Sequence, residues 1–325
     1  MTSSGAEGGS SAGPDAGRDQ AAARPAAAEP GGAQADVWTV LRMILWSADY
    51  LRGKGIESGR LDAEHLLAHV VGVDRLRLYL EFERPLTLQE LDGFRPILRR
   101  RAAREPLQYI IGHQPFRDLV LEVTPAVLIP RPETEVLVDR ILEEVRDDHR
   151  REGTVLDLGT GSGAIALSLA FEGSFASVVA IEVDGSALEV AHRNRKAAGL
   201  DAAVELRLGS MFEPLHESER FDVIASNPPY VAEPELAWLE PEVGEWEPRG
   251  ALFAGPDGLD VLRQIVAGAG AHLEHGGLLA LEVGAEQARV VAGLLEDDGR
   301  YEQVRVLRDY AGRERFVFAN AADGK

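Results

Sequence analysis

Apolar positions along the chain fall into three regimes. Residues 1–36 hold Ala, Gly, Ser and Pro with scattered charge, and no Val, Ile, Leu or aromatic residue. Such a stretch cannot bury enough apolar area to offset its ordering entropy, which predicts a disordered tail. From Val37 the spacing turns helical. Val40, Leu41, Ile44 and Leu45 recur at three- and four-residue intervals, as do Leu61, Leu66, Leu67, Val70 and Val71. Thr87 with Glu90 three residues on has the form of a capping box, opening a helix through Leu91, Phe94, Ile97 and Leu98. Residues 37–112 are therefore expected to form a small all-helical domain. Phe116, Leu119, Val120, Leu121 and Val123 then suggest a β-hairpin linker over 113–130, closed by Pro130 and Pro132.

The third regime, 131–321, alternates. A helix is expected from about 133 to 149. Strands are expected over 155–158, 178–182, 204–208, 223–226 and 278–283, with helices over 164–171, 186–198, 259–273 and 286–295. Two further strands, 304–307 and 315–319, end the pattern. Alternation of this kind implies βαβ units and a mostly parallel sheet covered by helices on both faces, an α/β fold.

Composition narrows the function. Asp and Glu number 54 against 34 Lys and Arg, a formal charge of −20, which argues against a protein gripping nucleic acid over a wide basic surface. There is no cysteine, so neither a disulfide scaffold nor a thiolate-ligated metal is available. No apolar run approaches the roughly 20 residues of a membrane span, and the start lacks a charged-then-apolar leader, so a cytoplasmic protein without membrane association is expected. The His65/His69 and His272/His275 pairs lack evident further ligands, and no metal is expected. Only three of the basic residues are lysine, a bias that a GC-rich genome explains. Asparagine also occurs only three times, at 194, 227 and 320, so each carries more weight than usual. The Arg99, Arg100, Arg101, Arg104 cluster reads either as favourable charge at a helix C-terminus or as a contact to an acidic surface.

Two loops carry chemistry. The strand 155–158 runs into Gly159-Thr160-Gly161-Ser162-Gly163 and directly into a helix. Glycines at such a turn let backbone N–H groups approach a ligand beside the positive end of the helix. Glu182, at the end of the next strand, suits a ribose diol. With Ala164 the loop also satisfies a dinucleotide fingerprint, so NAD competes on this motif alone. Asp157, two residues before the first glycine, suits a cationic ligand better than a pyrophosphate, which favours S-adenosylmethionine.

The second loop, Asn227-Pro228-Pro229-Tyr230, follows the strand 223–226. Two prolines stiffen it at the carboxyl end of a parallel strand, where open α/β sheets bind ligands. A planar N–H₂ group is a poor nucleophile because its lone pair is delocalised. The Asn227 side-chain oxygen and the Pro228 carbonyl can each accept one of its hydrogens, orienting it and stabilising the charge that develops during attack. Tyr230 can lie against the planar group and exclude water.

Together these loops resemble the class I S-adenosylmethionine-dependent methyltransferases with an Asn-Pro-Pro-Tyr motif. Within them the chain is similar to the PrmC/HemK family of release factor glutamine methyltransferases. The resemblance covers about residues 40–320. It rests also on Glu105 to Gly112, on Leu128-Ile129-Pro130-Arg131-Pro132-Glu133-Thr134-Glu135, on Glu247-Pro248-Arg249, on Gly255 to Gly258 and on Arg308 to Arg315. It implies a helical N-terminal domain that recognises substrate, a hairpin linker and a seven-stranded Rossmann-like domain. It also implies methylation of the glutamine side-chain nitrogen in the Gly-Gly-Gln motif of class I peptide chain release factors, with S-adenosylhomocysteine as product. Carried over by motif, Asp157, Gly159 to Gly163, Glu182 and Asn227 would hold the cofactor. Asn227 to Tyr230, with Arg131, would hold the glutamine. Where many relatives place an acid near the adenine, this chain has Ser210, leaving Met211 or Phe212 to pack on the ring. The Asn-Pro-Pro-Tyr motif by itself also fits a ribosomal protein glutamine or a nucleobase amino group as acceptor. A catalytically silent S-adenosylmethionine sensor would have no use for it.

Overall fold

A computed structural model describes residues 37–146 and 148–322; the expected tail over 1–36 lies outside the described residues. The helical region runs α1 (Val40–Arg52), α2 (Gly59–Val71), α3 (Arg75–Leu80), α4 (Leu88–Ala102) and α5 (Leu107–Ile111). The capping box forms as its spacing implies: Glu90 N donates to Thr87 Oγ1 at 3.2 Å and Thr87 N donates to Glu90 Oε2 at 2.8 Å. Ile44, Leu51, Leu66, Leu67, Leu78 and Phe94 are sealed from solvent in its core. Close packing of α1 on α2 needs Gly59, where a Cβ would lie 2.8 Å from the Ala48 carbonyl oxygen. Helices α3 and α5 have no counterpart in the sequence reading. Each is under two turns long, too short for a 3.6-residue period to register.

Strands β1 (His113–Phe116) and β2 (Leu119–Glu122) pair antiparallel as the expected hairpin. The larger region follows as α6 (Pro132–Val145), β3 (Thr154–Leu158), α7 (Ala164–Glu172), β4 (Ser177–Glu182), α8 (Gly185–Ala198), β5 (Val204–Leu208) and β6 (Phe221–Ser226). It continues with α9 (Pro241–Gly244), α10 (Asp260–Ala269), β7 (Leu273–Glu282), α11 (Ala288–Asp298), β8 (Tyr301–Arg308) and β9 (Glu314–Ala321). The seven strands form one sheet in the order β5-β4-β3-β6-β7-β9-β8, with β9 antiparallel to both its neighbours and the remaining pairs parallel. One apolar layer packs α6 and α7 on one face, and a second packs α10 and α11 on the other. This is a Rossmann-like α/β sheet, as expected.

The helix expected over 259–273 stops at Ala269, and the following strand begins at Leu273 rather than 278. Gly270 caps the helix, and Leu273 is buried opposite Phe221 in the sheet. The chain builds outward from β3 to β4 and β5, then crosses back to place β6 on the other side of β3. That reversal opens a crevice above the carboxyl ends of β3 and β6, the usual ligand position in such sheets.

Candidate active site

The loop after β3 is shaped by its glycines. Gly159, Gly161 and Gly163 take φ of 71°, 56° and 88°, the left-handed region that other residues enter only at a cost. The loop is braced from below. Thr160 Oγ1 donates to Asp157 Oδ2 at 2.6 Å, and the Ala166 N–H donates to the same oxygen at 3.2 Å. Asp157 is fully buried; burial pushes its carboxyl up to about 7, against the pull of those two donors. Its other oxygen, Oδ1, has no hydrogen-bond partner among the described residues. Glu182 Oε2 accepts from Gly161 N at 2.8 Å, and Oε1 accepts from Val183 N at 2.9 Å and Asp184 N at 3.0 Å. Three donors leave about one acceptor position on this carboxylate. A diol binding there through both hydroxyls would take the place of the Gly161 N–H.

The Asn-Pro-Pro-Tyr loop stands at the end of β6. Asn227 Nδ2 donates to Thr134 Oγ1 at 2.9 Å, and Thr134 Oγ1 donates to Glu282 Oε2 at 2.8 Å. Glu282, at the end of β7, is buried and its carboxyl is pushed up to about 7 by that burial. The Tyr230 carbonyl accepts from Gln287 Nε2 at 2.9 Å, and the Arg315 guanidinium lies 5.7 Å from the Tyr230 ring centre. Burial pushes the Tyr230 hydroxyl up to about 12.

A cavity of about 300 Å³ lies between the two loops. Gly159, Thr160, Gly161, Ser162, Glu182, Met211, Asn227 and Pro229 all face it. Six residues singled out from the sequence do not line it. Asp157 and Gly163 sit beneath the glycine loop, and Pro228 is buried behind Asn227. The Tyr230 side chain packs instead against the sheet layer of α10 and α11. Phe212 turns away from the cavity. Met211 adopts a left-handed φ of 47°, and the two side chains part, Met211 to the cavity and Phe212 under α10. There the Phe212 ring stacks on His272, with ring centres 5.3 Å apart, and fills the space that Gly268 leaves open. Arg131 lies outside the lining too: its guanidinium binds Glu247 at 2.5 Å, fastening the loop before α6 to the segment before Pro248. Burial raises the Glu247 carboxyl, and Arg131 opposes that shift.

Further residues complete the site. Pro248, Gly250 and Ala251 close the cavity from a segment that returns after α9, and Ala126 to Leu128 close it from the hairpin side. Tyr109 of α5 holds that hairpin segment by donating from its hydroxyl to the Val127 carbonyl at 2.6 Å. Asn194 of α8 donates to the Glu122 and Ser162 carbonyls and accepts from Glu122 N, joining β2, α8 and the glycine loop. Thr134 lies within a motif quoted above, yet its bond to Asn227 spans 93 residues and leaves no local mark.

Two family models match the chain: one described as the PrmC N-terminal domain over residues 42–112, and one described as the methyltransferase small domain over 132–238. A release factor glutamine methyltransferase of Geobacter sulfurreducens is 46% identical, across 81% of this chain and 90% of its own length. The chain belongs to the release factor glutamine methyltransferase family. The Rhodopirellula baltica member is 38% identical across 86% of this chain and 95% of its own. Among solved structures, a methyltransferase from Pyrococcus furiosus aligns with 64% of this chain and 91% of its own at 22% identity and a TM-score of 0.47. Both cavity loops of this family member fall inside the second matched segment, whereas Glu282 lies beyond it. Among the described residues, no helix is long and apolar enough to cross a membrane, and no cluster of His, Asp and Glu could hold a metal ion.

Proposed function

We propose that this chain transfers a methyl group from S-adenosylmethionine to the side-chain nitrogen of the glutamine in the Gly-Gly-Gln motif of class I peptide chain release factors. The observation that carries this reading is the position of Asn227. One cavity wall holds its carboxamide, turned by Thr134, and the facing wall is the glycine loop. Membership in the family supports the choice of acceptor, and the charge of −20 favours a protein acceptor over a polyanion.

The residues present fit the cofactor. No atom lies within 4 Å of where a Cβ would stand on Gly159 or Gly161, so the loop backbone is open to a ligand. The Glu182 carboxylate puts negative charge beside that opening, which suits a cationic ligand and opposes a pyrophosphate. Bound there, S-adenosylmethionine supplies an electrophilic methyl on a sulfonium centre. Asn227 Oδ1 accepts an amide hydrogen of the glutamine and faces the positive charge that grows on its nitrogen. Pro228 and Pro229 fix the loop so that little reorganisation remains at the moment of transfer. Met211 offers an apolar wall for the adenine.

Replacing Asn227 by Ala should lower kcat for methyl transfer roughly 100- to 1000-fold, the loss typical of one such stabilising group. Cofactor affinity, measured by titration calorimetry, should change by far less. Near-normal turnover in that variant would contradict the role given to Asn227.

A further inference from the structure

We propose that Thr134 and Glu282 are positioning residues that set which end of the Asn227 carboxamide faces the acceptor. The inference rests on the function proposed above and goes one layer deeper into the protein. A threonine hydroxyl has one hydrogen to give. Thr134 Oγ1 stands between Asn227 Nδ2 at 2.9 Å and Glu282 Oε2 at 2.8 Å, with Thr134 and Glu282 both buried. A carboxylate can only accept, so an ionised Glu282 takes that hydrogen. Thr134 can then only accept from Asn227, which must turn its N–H₂ inward. The amide oxygen is left on the other arm of the same planar group, where an N–H₂ acceptor needs it.

Protonation of Glu282 reverses the chain of donors. The carboxylic acid gives its hydrogen to Thr134 Oγ1, and the hydroxyl becomes free to donate to Asn227 Oδ1. The carboxamide then turns its N–H₂ toward the cavity, where it meets another N–H₂ instead of accepting from it. The groups around Glu282 pull both ways. Arg315 on β9 and Arg131 before α6 favour the ionised form, while burial and Glu133 on α6 oppose it. The Tyr230 hydroxyl also faces it. Burial leads, and the carboxyl is pushed up to about 7. Turnover should therefore fall on the acid side of neutrality.

The scarcity of asparagine makes this directly observable. The full chain labelled with ¹⁵N-asparagine has three side-chain N–H₂ pairs, from Asn194, Asn227 and Asn320. The Asn227 pair is assigned by its loss in Asn227→Ala. Between about pH 5.5 and about 8.5, that pair should move with a single midpoint near neutrality, and the Asn194 pair, bonded to two backbone carbonyls, should not. In Glu282→Gln and Thr134→Val the movement should vanish. An Asn227 pair that stays still in the unmodified chain, or keeps its midpoint in Glu282→Gln, would overturn the proposal. The kinetic counterpart is Thr134→Val, expected to lower kcat about 100-fold with KM for the cofactor unchanged and with recovery in Thr134→Ser. Equal loss of kcat and cofactor affinity would reduce Thr134 to a structural part and also overturn it. The resonance measurement needs no methyl acceptor, so failure to methylate a release factor would contradict the proposed function while leaving this test intact.

Discussion

Asn194, Asn227 and Asn320 do three different things. Asn194 ties β2 to the glycine loop, Asn320 donates to the Gly276 carbonyl at the far end of β7, and Asn227 faces the cavity. Their rarity marks all three in the sequence, but only Asn227 carries a local sign of its role, the two prolines that follow it. The glycines divide in the same way. Gly159 and Gly161 leave open space for a ligand, whereas Gly163 is needed by the fold: a Cβ there would meet Leu167 Cδ1 at 2.9 Å, at a φ of 88°. Gly163→Ala should therefore destabilise the protein by about 1–3 kcal/mol, read as a lower melting temperature. A variant that melts with the unmodified chain would show that the α7 entrance tolerates a side chain.

At the scale of elements, Arg100, Arg101 and Arg104 of the cluster at the end of α4 have specific partners. Arg100 pairs with Glu105. Arg101, almost wholly buried, binds Asp62 of α2 at 2.7 Å and Glu242 of α9 at 2.8 Å. Arg104 reaches Glu240 at 3.2 Å and Glu242 at 2.7 Å. The acidic surface that these arginines suggest exists, and it belongs to the same chain. Through it the helical region holds the segment that leads from the Asn-Pro-Pro-Tyr loop back to Pro248, Gly250 and Ala251 at the cavity wall. Arg101→Met would remove the counter-charge of the buried Asp62 carboxylate, leaving it the Ser58 hydroxyl, at a cost of about 3–5 kcal/mol. It should also weaken cofactor binding, because the loosened segment closes the cavity. Thermal unfolding and cofactor titration check this together; a normal cofactor affinity in the destabilised variant would mean that the cavity wall stands without the strap.

Across the whole molecule, alternating patterns gave away the parallel sheet, the hairpin and the helical region, because each long element repeats its period several times. Helices of five or six residues do not, and α3 and α5 went unread for that reason. The end of α10 was misplaced because Leu273 continues its apolar spacing while belonging to the sheet. Both candidate loops are visible as motifs, but the bonds that aim Asn227 are not: Thr134 to Asn227 spans 93 residues and Thr134 to Glu282 spans 148. The stacking of Phe212 on His272 and the pairing of Arg131 with Glu247 also join residues far apart in the chain and leave no local mark. The two loops nonetheless converge on one cavity, and the chemistry proposed for it is a methyl donor beside an amide acceptor. Mass spectrometry of a class I release factor incubated with this protein and S-adenosylmethionine addresses that chemistry most directly. A single added methyl on the glutamine of the Gly-Gly-Gln motif, absent when that glutamine is replaced, is the expected result. An unmodified release factor, or equal labelling of the replaced variant, would contradict it.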